Sequence, residues 1–319
     1  MIVKLGIIGT GNMGKNHVRI AREMINCFDL VAVYDPDQTR IEALGLSDIA
    51  VGSEEELIEK ADAVIIAAPS SLHKKLALKV AAAKKHLLVE KPLALSAEDA
   101  REVAEAYKEI NKTLMVGHVE RFNNVIGELE KVLQHEEIVA IQMERCSSMD
   151  RRISDTDVMY DLMIHDMDIL LNSLMPDQNI RKLQSFGTKV YSEKFMDYVE
   201  TSMQFENNVI ASVVCSRTTE DKIRMTRIHC KNAYIEADLL NKTLTISRKT
   251  KLNLDVGYSP VYRQENIKEK VFVPGKEPLK AEQEHFYNCI ISGETAKTNG
   301  ASAVRSIEVL DAIKKQIYG

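Results

Sequence analysis

Three groups of residues in this 319-residue chain have the types and spacing to do chemistry. The first is Gly9-Thr10-Gly11-Asn12-Met13-Gly14, with Asp35 21 residues beyond it. Glycines so spaced allow a tight turn, a close approach of backbone to a pyrophosphate, and close packing of a helix on a strand. A helix opening at about Asn12 adds its free N–H groups and its dipole to the hold on the anion. Asp35 can accept both hydroxyls of an adenosine ribose and repels a 2′-phosphate, which favours NAD over NADP. Arg40 nearby keeps NADP open. Asp35 also precedes Pro36 and suits the N-cap of a helix.

The second group is Glu90-Lys91-Pro92, directly after an apolar run. Ligands of open α/β sheets bind at the carboxyl ends of the strands. Lys91 there can stabilise an alkoxide forming during oxidation of an alcohol. Pro92 restricts the residue before it and is a position where a cis bond can occur. The structural alternative is a surface ion pair in a loop. The third group is Asp161-Leu-Met-Ile-His165-Asp166-Met-Asp168. On a helix Asp161 and His165 share a face. His165 can take a hydroxyl proton as hydride leaves, with Asp161 orienting it or binding the hydroxyl. Two other readings compete: a metal site from Asp161, His165 and Asp168, and a capping acid with a structural histidine.

The elements that must position these groups change character along the chain. Up to about residue 120, apolar runs at 3–8, 30–34, 63–67, 87–89 and 113–116 alternate with amphipathic helical stretches, the rhythm of a parallel sheet covered on both faces. Ser53 and Ser96 mark helix starts, with Glu56 and Asp99 three residues on. After about residue 135 a helix is expected at 158–174. Strand-like runs follow at 180–191, 199–205, 209–216, 226–230, 233–237 and 244–247, with short turns between, an antiparallel pattern. Helices at 279–292 and 300–318 close the chain. Two domains are predicted, 1–120 and 121–319.

Composition bounds the function. Hydrophobic residues are 45% and charged residues 28% of the chain, which argues against disorder. A net charge of −5 argues against a nucleic-acid partner, which would need a basic surface. No apolar stretch has the length to cross a bilayer, so no membrane partner is expected. The five cysteines are scattered and form no C-x-x-C pair, so they read as reduced and not as zinc ligands. With no signal-peptide pattern at the N-terminus, a cytoplasmic location is expected.

Taken in order, these motifs resemble those of the Gfo/Idh/MocA oxidoreductase family. The resemblance is carried by the glycine turn, Asp35, Ala68-Pro69-Ser70 with His73, Glu90-Lys91-Pro92, Gly117-His118-Val119-Glu120-Arg121-Phe122-Asn123, Asp161-x-x-x-His165, and Glu277-Pro278-Leu279 with Glu282 and Phe286. It implies an α/β fold: a Rossmann NAD(P)-binding domain followed by an α+β domain with a large, mainly antiparallel sheet that serves in homodimers or homotetramers. It implies catalytic roles for Lys91, Asp161 and His165. Cofactor contacts are implied at Gly9, Gly11, Asn12, Met13, Gly14, Asp35, Pro69, His73, Glu90 and Lys91, and substrate contacts at Lys91, Arg121, Asn123, Asp161 and His165. Members oxidise a secondary hydroxyl of a sugar, cyclitol or nucleotide sugar. The form of the 117–123 segment is most similar to the branch acting on the 3-hydroxyl of UDP-N-acetylglucosamine. Many relatives carry Gly-Gly before the Asp–His helix, where this chain has Asp157-Val158-Met159-Tyr160, a departure that bears on the substrate mouth.

The expected function is thus NAD-dependent oxidation of a sugar hydroxyl. The alternatives are an inositol or free-sugar dehydrogenase, and a non-catalytic sensor of NAD and sugar. Lys222, Arg224, Arg227 and Lys231 read as a solvated strand face, and the first three also as a phosphate site for a nucleotide sugar.

Overall fold

A computed structural model describes the whole chain except residues 150–156 and 257–258; side chains are further not described at 249–256 and 259–266. The backbone divides into two compact units, Met1–Phe122 with Lys276–Asp311, and Asn123–Gly275 with Ala312–Gly319. The first break between the units falls after Phe122. The return of residues 276–311 to the first unit has no local signal in the sequence.

In the first unit the chain runs β1 (Val3–Ile8), α1 (Asn12–Glu23), β2 (Phe28–Tyr34), α2 (Gln38–Ala43), α3 (Glu54–Lys60), β3 (Ala63–Ile66), α4 (His73–Ala82), β4 (His86–Glu90), α5 (Ala97–Ile110) and β5 (Leu114–Gly117). All pairings are parallel, in the order β2-β1-β3-β4-β5. Beyond β2, Val33 makes an isolated parallel bridge to Ala50, a remnant of one more strand. Counting it, the order is that of dinucleotide-binding sheets, with the switch point between β1 and β3. Every residue of β3 is buried, as expected where helices cover both faces. The serine caps form as the sequence predicts: Ser53 accepts from the Glu56 N–H, and Ser96 from the Asp99 N–H. Leu279, Phe286 and Cys289, from residues 278–292, join the core formed by Leu5, Ile7, Val18, Ile20 and Phe28.

In the second unit, α6 (Asn124–Leu133) precedes β6 (Ile138–Cys146). A helical stretch follows whose middle is α7 (Ile164–Ile169), with π-helical turns at Met159–Met163 and Leu170–Leu174. Then come β7 (Ile180–Thr188), β8 (Tyr198–Phe205), β9 (Ile210–Ser216), β10 (Ile223–Cys230), β11 (Ala233–Asp238), β12 (Thr243–Val256) and β13 (Ser259–Val271). The sheet order is β13-β12-β11-β10-β6-β9-β8-β7, with β6–β9 its parallel pairing and the others antiparallel. The sequence reading does not find β6 or β13. The helical stretch packs on β6 and β9 over inward residues such as Met143, Val213 and Cys215. The chain ends with α8 (Pro278–Ser292), in the first unit, and α9 (Gly300–Tyr318), whose last residues belong to the second. Among the described residues no helix is long and apolar enough to cross a membrane.

Candidate active site

The glycine turn is built as its spacing requires. Gly9 sits at φ 89°, and a Cβ there would stand 2.6 Å from the Ala67 carbonyl oxygen, so only glycine fits between β1 and the turn after β3. A Cβ on Gly14 would stand 1.9 Å from the Gly9 carbonyl oxygen. Gly11 is the N-cap of α1, which begins at Asn12; no side chain caps it and no acid lies in its first turn. The first N–H groups of α1 are left for an anion. Met13, in that turn, is exposed.

Asp35 ends β2 and is buried, and its carboxyl organises this loop. One oxygen accepts from the Thr10 N–H (2.7 Å) and the Thr10 hydroxyl (3.0 Å), the other from the Asp37 N–H (2.9 Å). A carboxylate has about four acceptor positions, so capacity for a ribose hydroxyl is left. The N-cap reading of Asp35 is corrected: Asp37 caps α2, accepting from the Thr39 N–H, because α2 starts at Gln38 and not at Pro36. Arg40 is exposed, 3.9 Å from Asp35 and 3.2 Å from Asp37.

A cavity of about 540 Å³ opens beside these groups, lined among others by Gly9, Gly11, Met13, Asp35, Pro69, His73, Glu90 and Lys91. Nine of the ten residues expected to contact cofactor are thus placed at or in the cavity wall or the turn beside it, with Asn12 starting the helix that points from it. The Lys91–Pro92 bond is cis. His73 is buried, and both ring nitrogens face carbonyl oxygens, Nδ1 that of Pro92 (2.6 Å) and Nε2 that of Ala68 (2.9 Å). Burial lowers its pKa from the ordinary value, against the pull of those carbonyls. His73 thus sits between the turn after β3 and the loop carrying Lys91, its one N–H donated to one of the two carbonyls.

Glu90, the last residue of β4, accepts from His17 of α1, with Nε2 2.9 Å from Oε1. Burial alone would raise its pKa; the His17 hydrogen bond and the nearby Lys91 charge hold it below the ordinary value. The motifs assign no role here to His17 or Thr10. For Thr10 the signal is its place inside the glycine motif; for His17 it is only an apolar-face position on α1.

In the second unit, Asp161 lies in the π-helical turn and His165 in α7, both half-buried. π turns widen a helix and are frequent at functional sites. Asp161 pairs with the buried Arg217 just past β9, at 3.1 Å. One helical turn further, Asp166 takes a forked bond from buried Arg145 of β6, at 2.9–3.1 Å. Asp168 accepts from Asn172 at 2.9 Å. Two of the three would-be metal ligands, Asp161 and Asp168, are thus turned to different protein partners, and among the described residues no cluster of such groups is gathered for a metal. Asp157, in place of the expected glycines, accepts from the Met159 and Met196 N–H groups and the Tyr318 hydroxyl, pinning the start of this helix.

Arg121 is buried in a 3₁₀ turn of the first unit, with its carbonyl 3.3 Å from the Lys297 ammonium. Asn123 caps α6 through the Val125 N–H and donates to the Leu239 carbonyl. Arg227 pairs with Glu144 of β6 and Lys231 with Glu137, as charges on a strand face do.

The fold and the cradle define a dinucleotide-binding oxidoreductase. Residues 3–118 match the model of the oxidoreductase family with an NAD-binding Rossmann fold, and residues 137–236 that of the Gfo/Idh/MocA C-terminal domain. The chain belongs to the Gfo/Idh/MocA family. It is 28% identical over 306 residues, 95% of this chain and 93% of the other, to UDP-N-acetylglucosamine 3-dehydrogenase of Acidithiobacillus ferrooxidans. A solved structure of that enzyme superposes with a TM-score of 0.88 at 25% identity, covering 99% of this chain and 98% of the other. Inositol 2-dehydrogenase of Cereibacter sphaeroides is 30% identical over 178 residues, 53% of each protein.

Proposed function

We propose that this protein is an NAD-dependent dehydrogenase that oxidises a secondary hydroxyl of a sugar, the 3-hydroxyl of a UDP-N-acetylhexosamine. The observation that carries the substrate is the likeness to UDP-N-acetylglucosamine 3-dehydrogenase, which runs the length of both chains. The inositol dehydrogenase likeness spans about half of each and favours a cyclitol as the second reading.

NAD fits the cradle: Gly9 and Gly14 leave no room for side chains, the start of α1 is uncapped, and Asp35 retains acceptor capacity. Asp35 supports NAD over NADP. When bound, NAD supplies the hydride acceptor. His165 takes the hydroxyl proton, Lys91 stabilises the oxygen as it gains negative charge, and Asp161, held by Arg217, positions the reacting group. The carbon–hydrogen pair leaves as hydride, the O–H proton goes to His165, and a ketone results. The chemistry is given to Lys91, Asp161 and His165, with Arg121 and Asn123 as further substrate contacts. Association through the outer sheet face, where Phe186 and Ile210 are exposed, fits a homodimer or homotetramer.

The test is NAD reduction, followed by ultraviolet absorbance, with UDP-N-acetylglucosamine, inositols and free hexoses. Reduction with the nucleotide sugar at the highest kcat/KM is expected. Preference for an inositol moves the assignment to the second reading, and no reduction with any of them contradicts dehydrogenase function.

A further inference from the structure

Behind the cavity wall lies a set of buried polar groups that the proposed chemistry does not use. His17 of α1 and Glu282 and Gln283 of α8 are all fully buried, at 0% exposure. The Gln283 side-chain amide nitrogen is 3.0 Å from His17 Nδ1 and 3.2 Å from the His17 carbonyl oxygen. This geometry fixes the amide. Turned over, its oxygen would face the His17 carbonyl oxygen, acceptor against acceptor. The amide N–H therefore donates to Nδ1. Nδ1 can accept only if it carries no proton, so the ring proton is on Nε2, where it is donated to Glu90 Oε1. The other Glu90 oxygen lies against Gly117 of β5, where a Cβ would stand 3.0 Å from it. Glu90 is thus held from two sides, and the residue after it is Lys91.

Glu282 bears on which carboxyl is charged. Neither of its oxygens has a hydrogen-bond partner among the described residues. Burial and the charge of Glu90 raise its pKa well above the ordinary value. Of two buried carboxyls close enough to repel, one keeps its proton. The one provided with a donor is Glu90, so Glu282 is the neutral acid. The titratable groups facing Glu90 are Lys91 beside it, which carries the charge, His17 from α1, His73 from the start of α4, and Glu282 from α8.

We propose that His17 and Gln283 are positioning residues for Lys91: Gln283 sets the His17 tautomer, and His17 then holds the Glu90 carboxylate that fixes the step from β4 to the lysine. The proposal rests on the reading of Lys91 as a catalytic group. It makes α8, nearly two hundred residues away in sequence, part of the support of the site.

The test joins a spectroscopic measurement to kinetics. In nitrogen-15-labelled protein, NMR of the His17 ring is expected to show the proton on Nε2. Gln283→Met removes the donor, and Gln283→Glu, nearly the same shape, demands a proton on Nδ1. Gln283→Glu is expected to add a proton on Nδ1, and both variants to lower kcat by up to about 10²-fold, the scale of a small misplacement of reacting groups. Affinity for NAD is expected to stay within a few-fold. His17→Gln supplies a donor with no tautomer to choose, so it should retain most of kcat and make the Gln283→Met change nearly silent. A proton on Nδ1 in the parent protein, an unchanged kcat in the Gln283 variants, or a loss of NAD affinity in step with kcat would overturn the proposal. Absence of turnover in the parent protein refutes the dehydrogenase reading instead, and the tautomer then decides this proposal alone.

Discussion

A Cβ on Gly14 would overlap the carbonyl oxygen of Gly9, at 1.9 Å, whereas one on Gly11 would meet only an Arg40 nitrogen at 3.7 Å. The two glycines therefore have separable jobs. Gly14 lets α1 pack on the turn, and Gly11 is proposed to keep open the space an incoming pyrophosphate needs. Gly11→Ala is expected to fold with a near-parent Tm but to lose the thermal stabilisation that NAD gives. Gly14→Ala is expected to lower the Tm itself. Differential scanning calorimetry with and without NAD checks both.

Arg40 stands over the loop that Asp35 and Thr10 lock together. A 2′-phosphate would meet the Asp35 carboxylate but would also gain the Arg40 guanidinium. NAD is expected to bind more tightly than NADP. Arg40→Ala should weaken NADP by about tenfold, one charge-assisted bond, and NAD little. Cofactor titrations of both proteins measure this; equal losses for the two cofactors would remove Arg40 from the choice between them.

The Arg145–Asp166 pair is buried on both sides and doubly bonded. Removing one partner of such a pair leaves an uncompensated buried charge, at about 3–5 kcal/mol. Arg145→Met is expected to cost stability on that scale by urea unfolding. The double variant Arg145→Met with Asp166→Leu should recover much of it. Cys215, 4.0 Å from Asp166, would then lose the neighbouring charge that, with burial, pushes its thiol pKa up.

Glu282 predicts a pH dependence. Its folded pKa is raised, first by burial and then by Glu90. The folded protein keeps this proton while the unfolded chain gives it up above about pH 4.3. Stability from this group is therefore complete below that pH and is lost as pH rises towards the folded pKa. Glu282→Gln carries no proton to lose. It should match the parent near pH 4 and exceed it in Tm at pH 8, by several degrees at about 2–4 °C per kcal/mol. A variant less stable than the parent at pH 8 would mean that Glu282 is ionised in the folded protein.

The sequence exposes what is local and hides what is distant. The first unit is readable because its strands are short, largely apolar runs and two of its helices announce their starts, at Ser53 and Ser96. The glycine turn and Asp35 act through neighbours a few residues away or at a known interval. Strand β6 is hidden because its inward row includes Arg145, polar by type and buried only because Asp166 lies 21 residues ahead to receive it. β13 carries too many charged and polar residues to read as a strand. The N-cap of α2 is misread by two residues because both Asp35 and Asp37 suit the position. His17 carries no more than an apolar-face position on α1, since its partner Gln283 is 266 residues away.

The central claim is that hydride leaves a sugar carbon while Lys91, Asp161 and His165 manage the oxygen and its proton. It is tested most directly with UDP-N-acetylglucosamine deuterated at C3 and unlabelled NAD. Mass spectrometry of the reduced cofactor is expected to find the deuterium on it, with a 3-keto nucleotide sugar as the other product. Lys91→Ala and His165→Ala should bind NAD normally and slow this transfer by about 10²-fold or more. Reduced cofactor without deuterium, or transfer at the parent rate in both variants, would contradict the account.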